Sequence, residues 1–202
     1  MTRTEEVEIE GVRMLAALTP GDGIGLLALH GSNEGGTAEL ARSVAESCGA
    51  TSLVFTQPGV REPVHVRSPR MAVRHCALLR EFLSRVQLTV SLHGHNRTAT
   101  PRSVFLGGGN RPAALLVADG LDALRPEFDP VTDLDEIPVA LRGLHPRNPV
   151  NMTRRGGVQV ELPLAARTGG RAWAPGVPDT PPRSVVDALA KGVESLAAMR
   201  GR

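Results

Sequence analysis

Four residues of this chain have the types and positions that could do chemistry. His30 ends the apolar run "GLLALH", and Glu34 follows it in "HGSNEGG". His93 ends "LTVSLH", and Glu161 lies inside the apolar "VQVELPL". Two imidazoles and one carboxylate make up the His₂Glu set of hydrolytic zinc sites, in which water takes the fourth position. Each histidine also has a plainer reading, as a strand cap bonded to nearby loop backbone, because His-x-x-x-Glu is a common spacing. Glu161 is harder to dismiss. A carboxylate among valines and leucines pays a large desolvation cost unless it is paired, linked to a metal or engaged in proton chemistry. Its plainer reading is a salt bridge to an arginine.

These groups act together only if the fold delivers them to one place. Strand-length apolar runs recur at "GIGLLALH", "TSLVFT", "QLTVSLH", "SVFLG" and "GVQVELPL", separated by segments with helical spacing. This alternation predicts an α/β layered domain with helices over both faces of a central sheet. Helices are expected at Thr37–Cys48, Met71–Val86, Arg111–Leu124 and Ser184–Met199. Side chains alternate along a strand, so Thr89, Ser91 and His93 share one face while Val90 and Leu92 share the other. His30 and His93 fall at carboxyl ends of strands, where α/β sheets bind their ligands.

Two segments resist this scheme. Residues 57–70 and 129–150 are long loops rich in proline and charge, a kind of loop that is often functional. Residues 168–183 read as a Pro/Gly-rich tether to the last helix, 184–199. No internal repeat is visible, and the 202 residues fit one domain.

Composition narrows the function. Aromatic residues make up 2% of the chain, too few for the base-stacking platforms of single-strand nucleic-acid binding. The net charge is +2, and Lys191 is the one lysine among 23 basic residues. Arginines spread through the sequence do not form a basic patch, so no nucleic-acid partner is expected. Their fixed fork of donors does suit carboxylates, and an anionic substrate would find partners here. Cys48 and Cys76 read as free buried thiols. The amino terminus has no apolar signal core and no run reaches membrane-spanning length. The expectation is a cytoplasmic chain with no membrane partner, in which the Asn96 and Asn151 sequons carry no meaning. The sequence does not yield the oligomeric state.

The segments "LHGSNEGGTAELA", "VSLHGHN", "VFLGG" and "NMTRRGGVQVELP" occur in the order found in the poly-gamma-glutamate hydrolase family. The resemblance spans roughly residues 24–167. It implies a three-layer αβα domain with a mixed central sheet, similar to the zinc carboxypeptidases. By position it implies His30, Glu34 and His93 as Zn²⁺ ligands, Glu161 as the catalytic carboxylate, and Asn151, Arg154 and Arg155 on the substrate side. The loop is one residue shorter than the family's, which makes Glu39 the second candidate for the carboxylate ligand.

The implied activity is hydrolysis of gamma-glutamyl amides in an anionic polymer by a metal-activated water. Zinc lowers the pKa of bound water toward about 7. Glu161 would take the proton and return it to the leaving nitrogen. Arg154 or Arg155 would bind the oxyanion or a substrate carboxylate, with Arg97 and Arg102 next because they flank the loop after His93. Two other functions fit the same residues: deacylation of small N-acyl amino acids, as in aspartoacylase, and non-catalytic binding of anionic polymers through arginine. His65, His95 and His145 are secondary candidates, with a surface position expected for His95. "GDGIG" and "GGGN" read as turns rather than nucleotide-binding loops.

Overall fold

The computed structural model describes residues 1–71, 73–169 and 180–198. Most of the expected tether, 170–179, and the end of the last helix, 199, lie outside these residues. Among the described residues, eight strands form one mixed sheet, in the order β1-β2-β4-β3-β5-β8-β6-β7. They are β1 (Arg3–Ile9), β2 (Val12–Thr19), β3 (Asp22–Ala28), β4 (Ala50–Thr56), β5 (Leu88–His95), β6 (Ser103–Gly107), β7 (Asp129–Val131) and β8 (Gly157–Pro163). β4, β3, β5 and β8 run parallel to one another, the pairs β1–β2, β2–β4 and β8–β6 are antiparallel, and β7 runs parallel to β6. The α/β class and the mixed sheet agree with expectation.

The helices are α1 (Thr37–Cys48), α2 (Ala77–Arg85), α3 (Arg111–Leu121), α4 (Leu164–Thr168) and α5 (Arg183–Ala198). α2 is shorter than expected. The chain before it makes 3-10 turns at Ser68–Arg70 and Val73–His75, and Cys76 caps the helix by accepting from Leu79 N–H. Cys48 is half-buried rather than buried. α4 occupies Thr168, the first residue of the expected tether. Among the described residues, no helix is long and apolar enough to cross a membrane.

β1 and β2 were not anticipated, although their pattern is readable. Val7, Ile9, Met14, Ala16 and Leu18 are buried between exposed or half-exposed neighbours, and both residues of the Glu10–Gly11 turn have positive φ, as a tight hairpin requires. The many glutamates of β1 disguise that alternation. Glu5 of β1 accepts from the backbone N–H groups of Ala77 and Leu78, which ties this hairpin to the start of α2.

One face of the sheet packs against α1, α3 and α5 in a continuous apolar core that includes Leu26, Val90, Leu92, Val160, Leu162 and Leu189. The other face is divided. Over β1, β2, β4 and β3 it is apolar and covered by α2, with Phe55 and Phe82 fully buried. Over β5 and β8 the same face is polar, carrying Thr89, Ser91, His93, Gln159 and Glu161. The two long loops close over that polar strip instead of a helix, and a cleft of about 1050 Å³ lies between them.

Candidate metal centre and active site

β3 and β5 are adjacent parallel strands, so their carboxyl ends deliver His30 and His93 to neighbouring positions. His30 and His93 are 4% and 3% exposed, and their Nδ1 atoms are 3.2 Å apart. Glu34 closes the triangle: its Oε1 is 2.9 Å from His30 Nδ1 and its Oε2 is 3.3 Å from His93 Nδ1. A turn brings it there, because Asn33 and Glu34 N–H both donate to the His30 carbonyl. The second oxygen also accepts from Gly94 N–H at 3.0 Å. Glu39, the other candidate, lies on α1 beside Arg42 and is not part of the cluster.

The far sides of the two rings fix what the near sides can do. His30 Nε2 is 2.8 Å from the Val66 carbonyl, which only accepts, so Nε2 carries the proton and Nδ1 presents a lone pair. His93 Nε2 is 3.0 Å from Ser91 Oγ, which can accept a hydrogen bond from it in the same sense. Two imidazole lone pairs and a carboxylate then point at one volume, with all ligand atoms within 4.8 Å of one another. Such a set calls for a cation or a proton between them. The donor types suit Zn²⁺ and other divalent ions, and the outer hydrogen bonds are those that orient metal-binding histidines.

The electrostatics agree with that geometry. Burial alone would raise the Glu34 carboxyl, but His93 and His30 outweigh it and hold Glu34 well below the usual carboxylate range. Burial alone would lower His93, yet Glu34, with a contribution from Glu161, pushes it up to about 9. Glu161 behaves differently. Burial pushes its carboxyl up to about 7, and the nearby negative charge of Glu34 adds to the effect against the opposing influence of His93. It is 4% exposed and sits beside His93 in register on the adjacent strand. Its Oε1 accepts from Gln159 Nε2 at 2.9 Å, so the hydrogen bond that holds it comes from an amide.

Gln159 escaped the sequence reading and joins three parts of the site. The same Nε2 donates to the Leu141 carbonyl at 3.2 Å, and its Oε1 accepts from Asn148 Nδ2 at 2.8 Å. The loop over the cleft is thereby tied to the strand that carries Glu161. The signal for it was its spacing, two residues before Glu161 and therefore on the same face.

The arginines differ most from expectation. The cleft is lined by Arg67, Arg70, Arg142 and Arg147, all from the two long loops, together with His65 and His145. Arg154 and Arg155 precede β8 and lie at its amino end. Arg155 N–H donates to the Gln87 carbonyl, about 20 Å back along β5 from His93 at ~3.3 Å per residue. The side chain of Asn151 is spent on backbone: it donates to the Gly143 and His145 carbonyls and accepts from Gly109 N–H. Arg102 pairs with Asp129 at 3.1 Å, and Arg97 is exposed beyond the end of β5; neither lines the cleft. His65 does approach the cluster, its ring 4.2 Å from that of His30. His145 lines the cleft from the outer loop, whereas His95 is buried and bonded to the Ser103 carbonyl rather than at the surface.

A buried strand carboxylate beside a set of possible metal ligands, at the carboxyl ends of the parallel strands of a mixed α/β sheet, goes with a zinc carboxypeptidase-like architecture. The poly-gamma-glutamate hydrolase sequence profile matches residues 3–169, and the chain belongs to that family. Its fold resembles a bacteriophage poly-gamma-glutamate hydrolase, with a TM-score of 0.72, 22% identity, and coverage of 96% of this chain and 93% of the other. The zinc-free apo form of YndL is similar at a TM-score of 0.69 and 20% identity, covering 99% and 90% of the two chains. A structure described as a carboxypeptidase from Burkholderia mallei gives 0.56 at 12% identity, over all of this chain and 64% of that one. No curated protein sequence matches the chain.

Proposed function

We propose that this hydrolase is zinc-dependent and cuts gamma-glutamyl amide bonds in an anionic chain such as poly-gamma-glutamate. The observation that carries the reading is the convergence of His30 Nδ1, His93 Nδ1 and the Glu34 carboxylate beside the buried Glu161. His30, Glu34 and His93 would hold the ion. When bound, it polarises the scissile carbonyl and makes a water acidic enough to react near neutrality.

The remaining steps belong to the chain itself. Gln159 holds one oxygen of Glu161, leaving the other to receive the proton of the attacking water. Glu161 then delivers that proton to the leaving nitrogen, so that it ends the cycle as it began. Burial raises this carboxyl above its ordinary value, which suits a group that must both take up and return a proton. Four arginines around the cleft supply donors for substrate carboxylates and for the developing oxyanion. Arg142 is the best placed, because it is half-buried and braced by donating from Nε to the Ile137 carbonyl. Arg154 and Arg155 have no part in this assignment.

The test combines metal content with turnover. About one zinc per chain in the wild type, lost in His93→Ala together with hydrolysis of poly-gamma-glutamate, is the expected result. Zinc with turnover of N-acyl amino acids alone would move the substrate to small acyl compounds. A protein with no affinity for zinc or any other divalent ion would sink the proposal.

A further inference from the structure

Arg167 is 4% exposed and lies on α4, immediately after the strand that carries Glu161. A guanidinium seldom sits so deep without an ordering task, because burying its charge costs several kcal/mol unless the surroundings answer it. Among its partners are three backbone carbonyls from different parts of the site: Gly35 in the Glu34 loop, His95 at the end of β5 and Leu162 near the end of β8.

The contacts bracket Glu34 from both sides. Gly35 follows Glu34 directly, and Gly36, at φ 82°, packs so closely on the Arg167 backbone that a Cβ there would lie 2.7 Å from its carbonyl oxygen. On the other strand, the guanidinium lies against Gly94, where a Cβ would come within 2.4 Å of Cζ. Gly94 is the residue whose N–H donates to Glu34 Oε2. One side chain therefore rests against the residue whose N–H aims the Glu34 carboxylate and bonds to the carbonyl of the residue that follows Glu34.

We propose that Arg167 is the positioning residue of the metal centre, locking the Glu34 loop and the Gly94 backbone at the separation that the His30, Glu34 and His93 ligand set requires. This inference rests on the metal reading of that site. Arg167 touches neither metal nor substrate; it acts through Glu34. A lysine in its place would keep the charge but, as a compact point donor, could not span three carbonyls in different directions.

The experiment is a zinc titration in competition with a chromophoric chelator, on the full chain, for wild type, Arg167→Met, Arg167→Lys and Leu189→Ala, with folding followed by circular dichroism. Leu189→Ala is the control: it opens a cavity in the helical core and lowers thermal stability without touching the site. The expected result is a 10–100-fold loss of zinc affinity in Arg167→Met, the usual range for losing an outer partner of a metal ligand, and a smaller loss in Arg167→Lys. Leu189→Ala should bind zinc as the wild type does. A folded Arg167→Met with wild-type affinity overturns the inference, and so does an equal loss in Leu189→Ala, which would mark the effect as general destabilisation. If Arg167→Met does not fold, Arg167→Lys decides on the same criterion. Failure of the wild type itself to bind zinc would instead remove the metal reading on which the inference stands.

Discussion

β5 and β8 lie side by side and present two opposite characters. On one face Val90, Leu92, Val158, Val160 and Leu162 are buried against the α1, α3 and α5 layer. On the other, one residue out of step, Ser91, His93, Gln159 and Glu161 are equally buried yet polar. The apolar face lowers the free energy of the fold by roughly 25 cal/mol for each Å² removed from water. The polar face costs free energy, and each member needs a partner: Ser91 for His93, Gln159 for Glu161, Glu34 for both histidines. A single strand pair thus serves stability on one side and carries the candidate site on the other.

If the two faces are separable in this way, substitutions on them should fail differently. The largest effect belongs to Glu161→Gln, which keeps the shape and removes the proposed proton carrier. It should lower kcat on poly-gamma-glutamate by about 10²–10⁴-fold, the usual worth of a general acid–base, with zinc content unchanged. Loss of zinc in this variant would show that Glu161 supports the metal rather than the proton transfer. Leu92→Ala, on the opposite face of β5 beside His93, should cost about 2–5 kcal/mol in denaturant unfolding while the folded fraction keeps its turnover. A selective loss of activity without loss of stability would break the comparison.

Titration sharpens it further. With His93 pushed up to about 9, a proton competes with the metal below that pH, so zinc affinity should rise with pH by up to about tenfold per unit and level off above about 9. Isothermal titration in buffers of different ionisation enthalpy would count the proton released. Glu161 bears on stability with a defined sign. Its folded-state value, about 7, lies above the ordinary 4.5, so the folded state holds the proton more tightly than the unfolded one. Its contribution is fully present below about 4.5 and is lost as pH rises through about 7. In chelator, the wild type should lose stability relative to Glu161→Gln across that window, as read from urea midpoints at several pH values.

The arginines give the smallest effects and the clearest contrast. Arg142→Ala, on the cleft wall, should raise KM for the anionic polymer by about 10–30-fold, roughly 1.5–2 kcal/mol for a hydrogen bond to a charged group. Arg155→Ala, at the amino end of β8, should leave kcat and KM within experimental error and stability within about 0.5 kcal/mol, as surface changes usually do. A large KM change in Arg155→Ala with none in Arg142→Ala would reverse the assignment of the cleft.

Local pattern accounts for much of what could be anticipated. Period-two alternation put Ser91 and His93 on one face, and an isolated carboxylate in "VQVELP" flagged Glu161, because both signals are carried by residues adjacent in the chain. The bounds of α1 and the nature of the two long loops were legible for the same reason. The hairpin β1–β2 carries the same kind of alternation, but the glutamates on its exposed positions mask it. What the chain could not disclose was direction and distance. Arg154 and Arg155 are close to Glu161 in sequence and far from it in space, because an extended strand carries each residue about 3.3 Å onward. Arg67 and Arg142, distant in sequence, line the same cleft because both loops fold back over the polar strip. The sequence by itself determined which side chains share a face and which residue types could hold a metal and move a proton. Only the tertiary structure decided which cations face them and how Arg167 joins three segments, because those contacts depend on strand order and loop closure, which no local pattern encodes.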